Sequence, residues 1–365
     1  DEPGRRFAGN ATAAQSGRSD LAADLTLGNA SWYGRLTATG AESADYTDGA
    51  GNEVHSAYER WSANGAVGWK PTRGSWIELS GARSDGEAAY ADRAMDGVKF
   101  DRDNLALRFA VDDLGPRVRR IEGLAFYNYV DHVMDNYSLR DFTPTAGMPF
   151  RSVSNPDRRT EGARVAVELS LTGALGATVG VDAQRNEHRL RSTMNETMMP
   201  YEAMARVKDA GFENLGLFGE LTRELAGGHR LTGGLRADHW DATDARQSLR
   251  LGMAGTVPNP TAGMQRSETL VSGFARYEHA LERAAVYAGM GYVERFADYW
   301  ELLGNGRESV DSLSAFGTRP ERTTQLDAGV VFGSGAVTLS LSAFASRVDD
   351  YILIESNYAK GMRVT

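Results

Sequence analysis

Residues 126–137 read FYNYVDHVMDNY, which sets an imidazole, His132, two residues before a thioether, Met134. In an extended strand, side chains at i and i+2 leave the same face, so this pair can address one bound ion. Thioether sulfur is soft and selects Cu(I), and imidazole suits copper in either oxidation state. The donor types therefore lean towards copper over zinc, iron or calcium. Two donors are half a site, and a single histidine on a strand also serves as hydrogen-bonded filler of a wall.

Further soft donors crowd residues 191–204, RSTMNETMMPYEAM, where Met194, Met198, Met199 and Met204 stand together, with Met95 and Met148 in neighbouring loop segments. Methionine ordinarily fills irregular gaps in a core. A water-facing segment has little core to fill, so weak capture of metal is one role for these residues and a mobile lid is another. The six histidines are scattered and no serine, histidine and aspartate carry a nucleophile motif, so no enzyme is expected.

The elements that must position these residues are strands. VAVELSL at 165–171 alternates strictly, and the pattern returns in LGLFGEL at 215–221, in VTLSLSAFA at 337–345 and across 25–39 on both sides of a turn at 29–31. No stretch of comparable clarity has the helical period. Short connections are expected at 29–31, 70–75, 112–118, 172–176, 226–228, 282–284 and 333–335. Long ones, rich in Asp, Asn, Gly, Pro and Met, are expected at 41–54, 85–98, 134–157, 191–208, 243–268 and 297–319.

Short turns at one end and long loops at the other are the signature of an all-β, antiparallel transmembrane barrel of the outer membrane, with apolar residues facing lipid and polar residues inside. Lipid cannot satisfy an open sheet edge, so such a barrel must close. Counting residues 5–14 as the first strand gives about fifteen strands, an odd number where single-chain bacterial barrels are even. With the chain stopping at GMRVT, the expectation is a partial barrel over 1–365. A soluble β-helix or propeller would show self-similarity at a fixed period, and none is found.

Composition agrees: 41 Gly, 14 Tyr, 13 Phe and 6 Trp accompany only 10 Pro and no Cys. A mean hydropathy of -0.41 is ordinary when only one face of each strand is dry. A net charge of -9 and the lack of any Lys/Arg cluster exclude a nucleic-acid partner. No apolar run approaches the roughly 20 residues of a membrane helix, and DEPGRRFAGN holds no signal-peptide core, as expected of a mature or cut chain. The absence of cysteine removes disulfide and thiolate chemistry and leaves the redox compartment open.

On the strand carrying the pair, Tyr127 and Tyr129 share the odd face, where amphipathic rings suit a lipid headgroup boundary. The even face, with Glu122, Asn128, His132 and Met134, then points into the lumen. Leu124, Phe126 and Val130 share that inward face and need a partner, which predicts a plug domain inside the barrel.

YNYVDHVMDNYSLRD, VDAQRNEHR, GYVERFADYWELLG and RPERTTQLDAGV together resemble the TonB-dependent copper receptors of Gram-negative outer membranes, of the copper porin and nitrous-oxide-reductase accessory type. ERFADYWE and RPERTTQLDAG follow phrases shared across TonB-dependent receptors, while DHVMDNY points to the copper branch, and the resemblance covers nearly the whole chain. It implies a 22-stranded barrel with an N-terminal plug, of which about 15 strands are here and the plug and C-terminal strands are missing. It also implies copper held between a plug segment with Cys and Met and a barrel His-x-Met, which His132 and Met134 match. With no cysteine, this chain does not assemble the whole site. Copper uptake into the periplasm would then be driven by the TonB complex acting through the plug, with outer-membrane lipid around the barrel. A siderophore or other metal-chelate receptor is the alternative, which would line its mouth with Arg and aromatics, and a passive porin is a third. A partial barrel has two unpaired edges and is not expected to be a stable product in isolation.

Overall fold

The computed structural model describes residues 4–250, 255–303, 314–357 and 361–364. Parts of two expected loops, 251–254 and 304–313, together with 358–360 and the ends of the chain at 1–3 and 365, lie outside the described residues.

Fifteen strands form one sheet in chain order, each hydrogen-bonded to the next. They are β1 Gly4–Ala13, β2 Ser19–Gly28, β3 Trp32–Ser43, β4 Tyr58–Thr72 and β5 Ser75–Ala88. Next come β6 Asp96–Asp112, β7 Val118–Asp135, β8 Val153–Thr172, β9 Leu175–Thr193 and β10 Val207–Leu225. The last five are β11 His229–Asp244, β12 Gln265–Ala280, β13 Ala284–Arg295, β14 Glu321–Ser334 and β15 Val337–Asp349. The count and the seven short connections match the sequence expectation. One loop-end connection, 14–18, is only five residues long and turns on Ser16 and Gly17, both at positive φ.

The long connections hold small elements of their own: hairpins Tyr46–Thr47 with Glu53–Val54 and Ser248–Arg250 with Thr256–Pro258, a 3-10 turn, Tyr201–Ala203, and a helical turn, Tyr299–Leu302. That helical turn starts on a capping box, in which Asp298 accepts from the Glu301 backbone and the Glu301 side chain accepts from Asp298. The turn between β10 and β11 shows how the short ends are made. Gly227 and Gly228 both have φ +78°, a left-handed backbone glycine adopts without strain, in the three-residue loop that the pairing of Leu225 with His229 leaves, and a Cβ on Gly228 would meet the Ala280 carbonyl oxygen at 2.7 Å.

The described residues group into two compact units, one of residues 1–110, 123–163 and 186–209, the other of 111–122, 164–185 and 210–365. In the first, Phe7 pairs with Leu25, Leu25 with Leu36, Trp32 with Trp69 and Val67 with Leu79, an apolar row across five strands that is exposed except at the half-buried Leu25. The opposite face is polar: Arg35 donates to Asp24 at 2.7 Å and the Tyr33 hydroxyl to Glu78 at 2.6 Å. In the second, Leu217, Leu235, Val271, Met290, Leu326 and Leu341 lie exposed on one face, and on the other Arg236 bridges Asp182 and Asp238. A sheet with one face of exposed large apolar side chains is inside out for water and satisfied by lipid tails. No helix of the described residues is long and apolar enough to cross a membrane.

Leu221 lies five residues before the 226–228 turn, near mid-depth of a span of about ten residues, and is 52% exposed. Leu221→Glu is expected to destabilise the barrel in lipid by about 1–2 kcal/mol, somewhat below the cost of a Lys or Arg there. Folding equilibria of the full-length protein in phospholipid vesicles would check this, and an unchanged value would place this face away from lipid.

Candidate metal site at the loop end of β7

About ten residues of a strand cross the hydrocarbon, so the stretch from Val118 to about Tyr127 spans it, and His132 stands beyond on the loop side. The imidazole stacks on Phe100 of β6, with ring centroids 4.4 Å apart and planes 25° from parallel. The Phe100 ring fills the space where a Cβ on Gly97 would sit, 2.3 Å away, and the Tyr90 hydroxyl lies 3.4 Å from that point. A glycine inside a strand therefore marks a close approach that seats the ring beneath His132. Gly97→Ala is expected to push Phe100 off the imidazole and weaken metal binding a few-fold, about 1 kcal/mol, measured by copper titration of the full-length protein.

The His132 carbonyl accepts from Asn155 at 2.9 Å, which fixes the backbone, while the imidazole Nε2 is buried with no hydrogen-bond partner. A buried polar atom left unpaired calls for an explanation, and an ion to come is one. Burial pushes the imidazole pKa down, the Arg93 guanidinium pushes it the same way, and Asp131 opposes them more weakly. The ring is thus held neutral, the form that donates a lone pair to a metal. Met134, half-buried, follows on the same strand face.

The other face of β7 is anchored by ions. Asp131 accepts from Lys99 at 2.9 Å, from Arg206 at 2.9 Å and from Asn155 at 2.7 Å. Asp157 is held by Arg189 at 2.6 Å and accepts the Tyr129 hydroxyl at 2.9 Å. The expected pair of headgroup tyrosines is therefore split. Tyr127 stays exposed with Arg159 5.6 Å from its ring, whereas Tyr129 belongs to this buried polar network. The reason is depth: two residues further along the strand, the odd face has left lipid and become charged.

Three connections meet beside the site. The Asp96 carboxylate, fully buried, accepts from Arg140 Nε at 2.7 Å, from the Tyr90 backbone N–H at 2.9 Å, and lies 3.0 Å from His55 Nε2. Arg140 also donates to the carbonyls of Arg93 at 2.9 Å and Tyr90 at 3.0 Å. One carboxylate thus ties 44–57, 89–95 and 136–152 together. Burial opposes its charge, but hydrogen bonds from Arg140, His55 and Tyr90 outweigh burial and hold its pKa at about 2.

The loop methionines divide. Met148 sulfur accepts from Asn136 at 3.8 Å, and Ser152 donates to the Asn136 side chain at 2.9 Å through its N–H and to the Met194 carbonyl at 3.4 Å through its hydroxyl. The Met148 and Met194 segments are therefore joined just past Met134. Met198, Met199 and Met204 stand exposed on the 194–206 connection, and Met95 is half-buried beside Asp96. Among the described residues no group of three or more His, Cys, Asp or Glu is placed to hold a metal.

A polar-lined, lipid-faced antiparallel wall defines a class before it defines a ligand. Residues 32–362 match the family described as TonB dependent receptor-like, beta-barrel; the chain belongs to that family, and its place is the Gram-negative outer membrane. Among solved structures, all of the chain aligns with 58% of the copper transporter OprC, at 40% identity and a TM-score of 0.90. Ninety-nine per cent aligns with 60% of the ferric-catecholate import receptor Fiu from K12 E. coli, at 13% identity and a TM-score of 0.69. Ninety-eight per cent aligns with 56% of the FrpB iron transporter from Neisseria meningitidis, at 15% identity and a TM-score of 0.68. The last two share the fold alone, and the chain spans little more than half the length of all three. No curated protein sequence matches it.

Proposed function

We propose that this chain is barrel wall from a TonB-dependent transporter that brings copper across the outer membrane, with His132 and Met134 as the barrel's half of the copper site. The observation that carries the reading is the unpartnered, buried Nε2 of a neutral imidazole beside a thioether, on the polar face above the lipid. Likeness to a copper transporter at 40% identity supports it. The remaining ligands, a plug and further strands belong to the rest of the receptor in this reading, and the TonB complex supplies the energy through that plug. Met148 and Met194, joined past the end of β7, are the loop methionines best placed to pass copper towards the pair, with Met95, Met198, Met199 and Met204 as outer capture sites.

The test is competition on the full-length receptor. Copper is expected to bind more tightly than zinc or any ferric siderophore, and tighter binding of a ferric chelate would turn the reading to the chelate-receptor alternative.

A further inference from the structure

On the lipid-facing side of the second unit, the row that starts beside the 226–228 turn runs Leu225, His229, His279, Val286, Val330 and Leu341, each the register partner of the next. Two imidazoles thus interrupt an apolar row at the short-turn end, which is periplasmic in this family. Hydrocarbon offers an imidazole no hydrogen bond, so a polar pair on this face calls for a partner.

The pair is held in place by contacts. The two rings stack across β11 and β12 with centroids 3.8 Å apart and planes 8° from parallel, and the Tyr277 hydroxyl lies 2.6 Å from His229 Nδ1. The tautomer in which that hydroxyl donates to Nδ1 puts the His229 proton on Nε2. A Cβ on Gly227 would lie 3.5 Å from this Nε2, so the nitrogen borders the turn, where headgroups begin. His279 Nδ1 is buried with no hydrogen-bond partner, which leaves its Nε2 as the nitrogen a ligand reaches. Among the described residues neither Nε2 has a hydrogen-bond partner.

An unpaired cation stands next to the pair. Arg223 registers with Leu231, and Leu231 with Tyr277, on the same face. The diagonal from Arg223 to His229 spans about 7–8 Å between neighbouring strands, within reach of a long side chain. Among the described residues no carboxylate pairs with Arg223, whereas Arg230, on the polar face of the same hairpin, is paired with Glu224 at 2.6 Å and Glu278 at 3.4 Å. A guanidinium on a lipid face is costly without an anion, and its stem carries it towards the headgroups.

We propose that His229, His279 and Arg223 form a binding site for the phosphodiester of an anionic phospholipid of the periplasmic leaflet. The two Nε2 atoms and the guanidinium donate to phosphate oxygens, and Leu225 and Leu231 lie along the acyl chains. The site is separate from the proposed copper ligands and does not depend on them.

The experiment titrates phosphatidylglycerol or phosphatidylcholine into the full-length receptor in detergent and counts bound lipids by native mass spectrometry. Wild type is expected to bind its first phosphatidylglycerol about fivefold more tightly than phosphatidylcholine, the effect of about one cation at a headgroup. Arg223→Gln is expected to remove that difference. His229→Phe with His279→Phe keeps two stacked rings without a nitrogen, and should weaken binding of both lipids about tenfold with the melting temperature near wild type. Equal binding of the two lipids by wild type, a difference kept in Arg223→Gln, or undiminished binding in the double variant would overturn the inference. Displacement of the first lipid by millimolar inorganic phosphate would assign the cluster to free phosphate and overturn it equally.

Discussion

Changing His132 to alanine is expected to lower the copper affinity of the full-length receptor about 100-fold, since losing a group that merely orients a ligand already costs roughly 10–100-fold. Alanine also removes the partner that Phe100 stacks on, so the loss could be confused with a collapsed wall. His132→Phe separates the two. It keeps an aromatic ring against Phe100 and has no nitrogen to donate, so copper binding should fall as far while the melting temperature in detergent stays near wild type. Met134→Leu keeps the volume and removes the sulfur, and about a tenfold loss is expected. If His132→Phe bound copper like wild type, the orphaned nitrogen would be wall filler and the half-site would be withdrawn.

Much of this wall was legible because a barrel strand repeats every two residues and its turns are local. Val165 and Leu171 of VAVELSL stand exposed with Ala166 buried between them, as the alternation requires, and the left-handed backbone at Gly227 and Gly228 is a local glycine property. The pair His132 and Met134 was legible for the same reason. What the sequence hid is set by register between strands and by loops meeting across gaps of many residues. Nothing local says that Asp96 will find Arg140, 44 positions away, or that Tyr129 will leave the lipid row for Asp157. The placement of Phe100 under His132 had one signal, a glycine three residues before it at the start of a strand, where glycine usually weakens pairing.

The second large effect concerns Asp96. Asp96→Ala would leave Arg140 and His55 facing a buried void and take from the Tyr90 N–H its acceptor, a loss of about 3 kcal/mol by the measure of other broken buried pairs. Because the carboxylate joins three connections, the damage should be local: backbone amides in 44–57, 89–95 and 136–152 should exchange faster with deuterium, with the apolar rows of the wall unchanged. Acid should mimic the substitution. The carboxyl is held at about 2 in the folded protein against an ordinary 3.8, so its contribution is fully present above pH 3.8 and is lost as pH falls through the folded value. The difference corresponds to about 2 kcal/mol. Arg140 also fixes the carbonyls of Tyr90 and Arg93, so the 89–95 connection should loosen along its length. Protection in the three connections that is equal in wild type and Asp96→Ala at pH 7 would show that they are held by something other than this carboxylate.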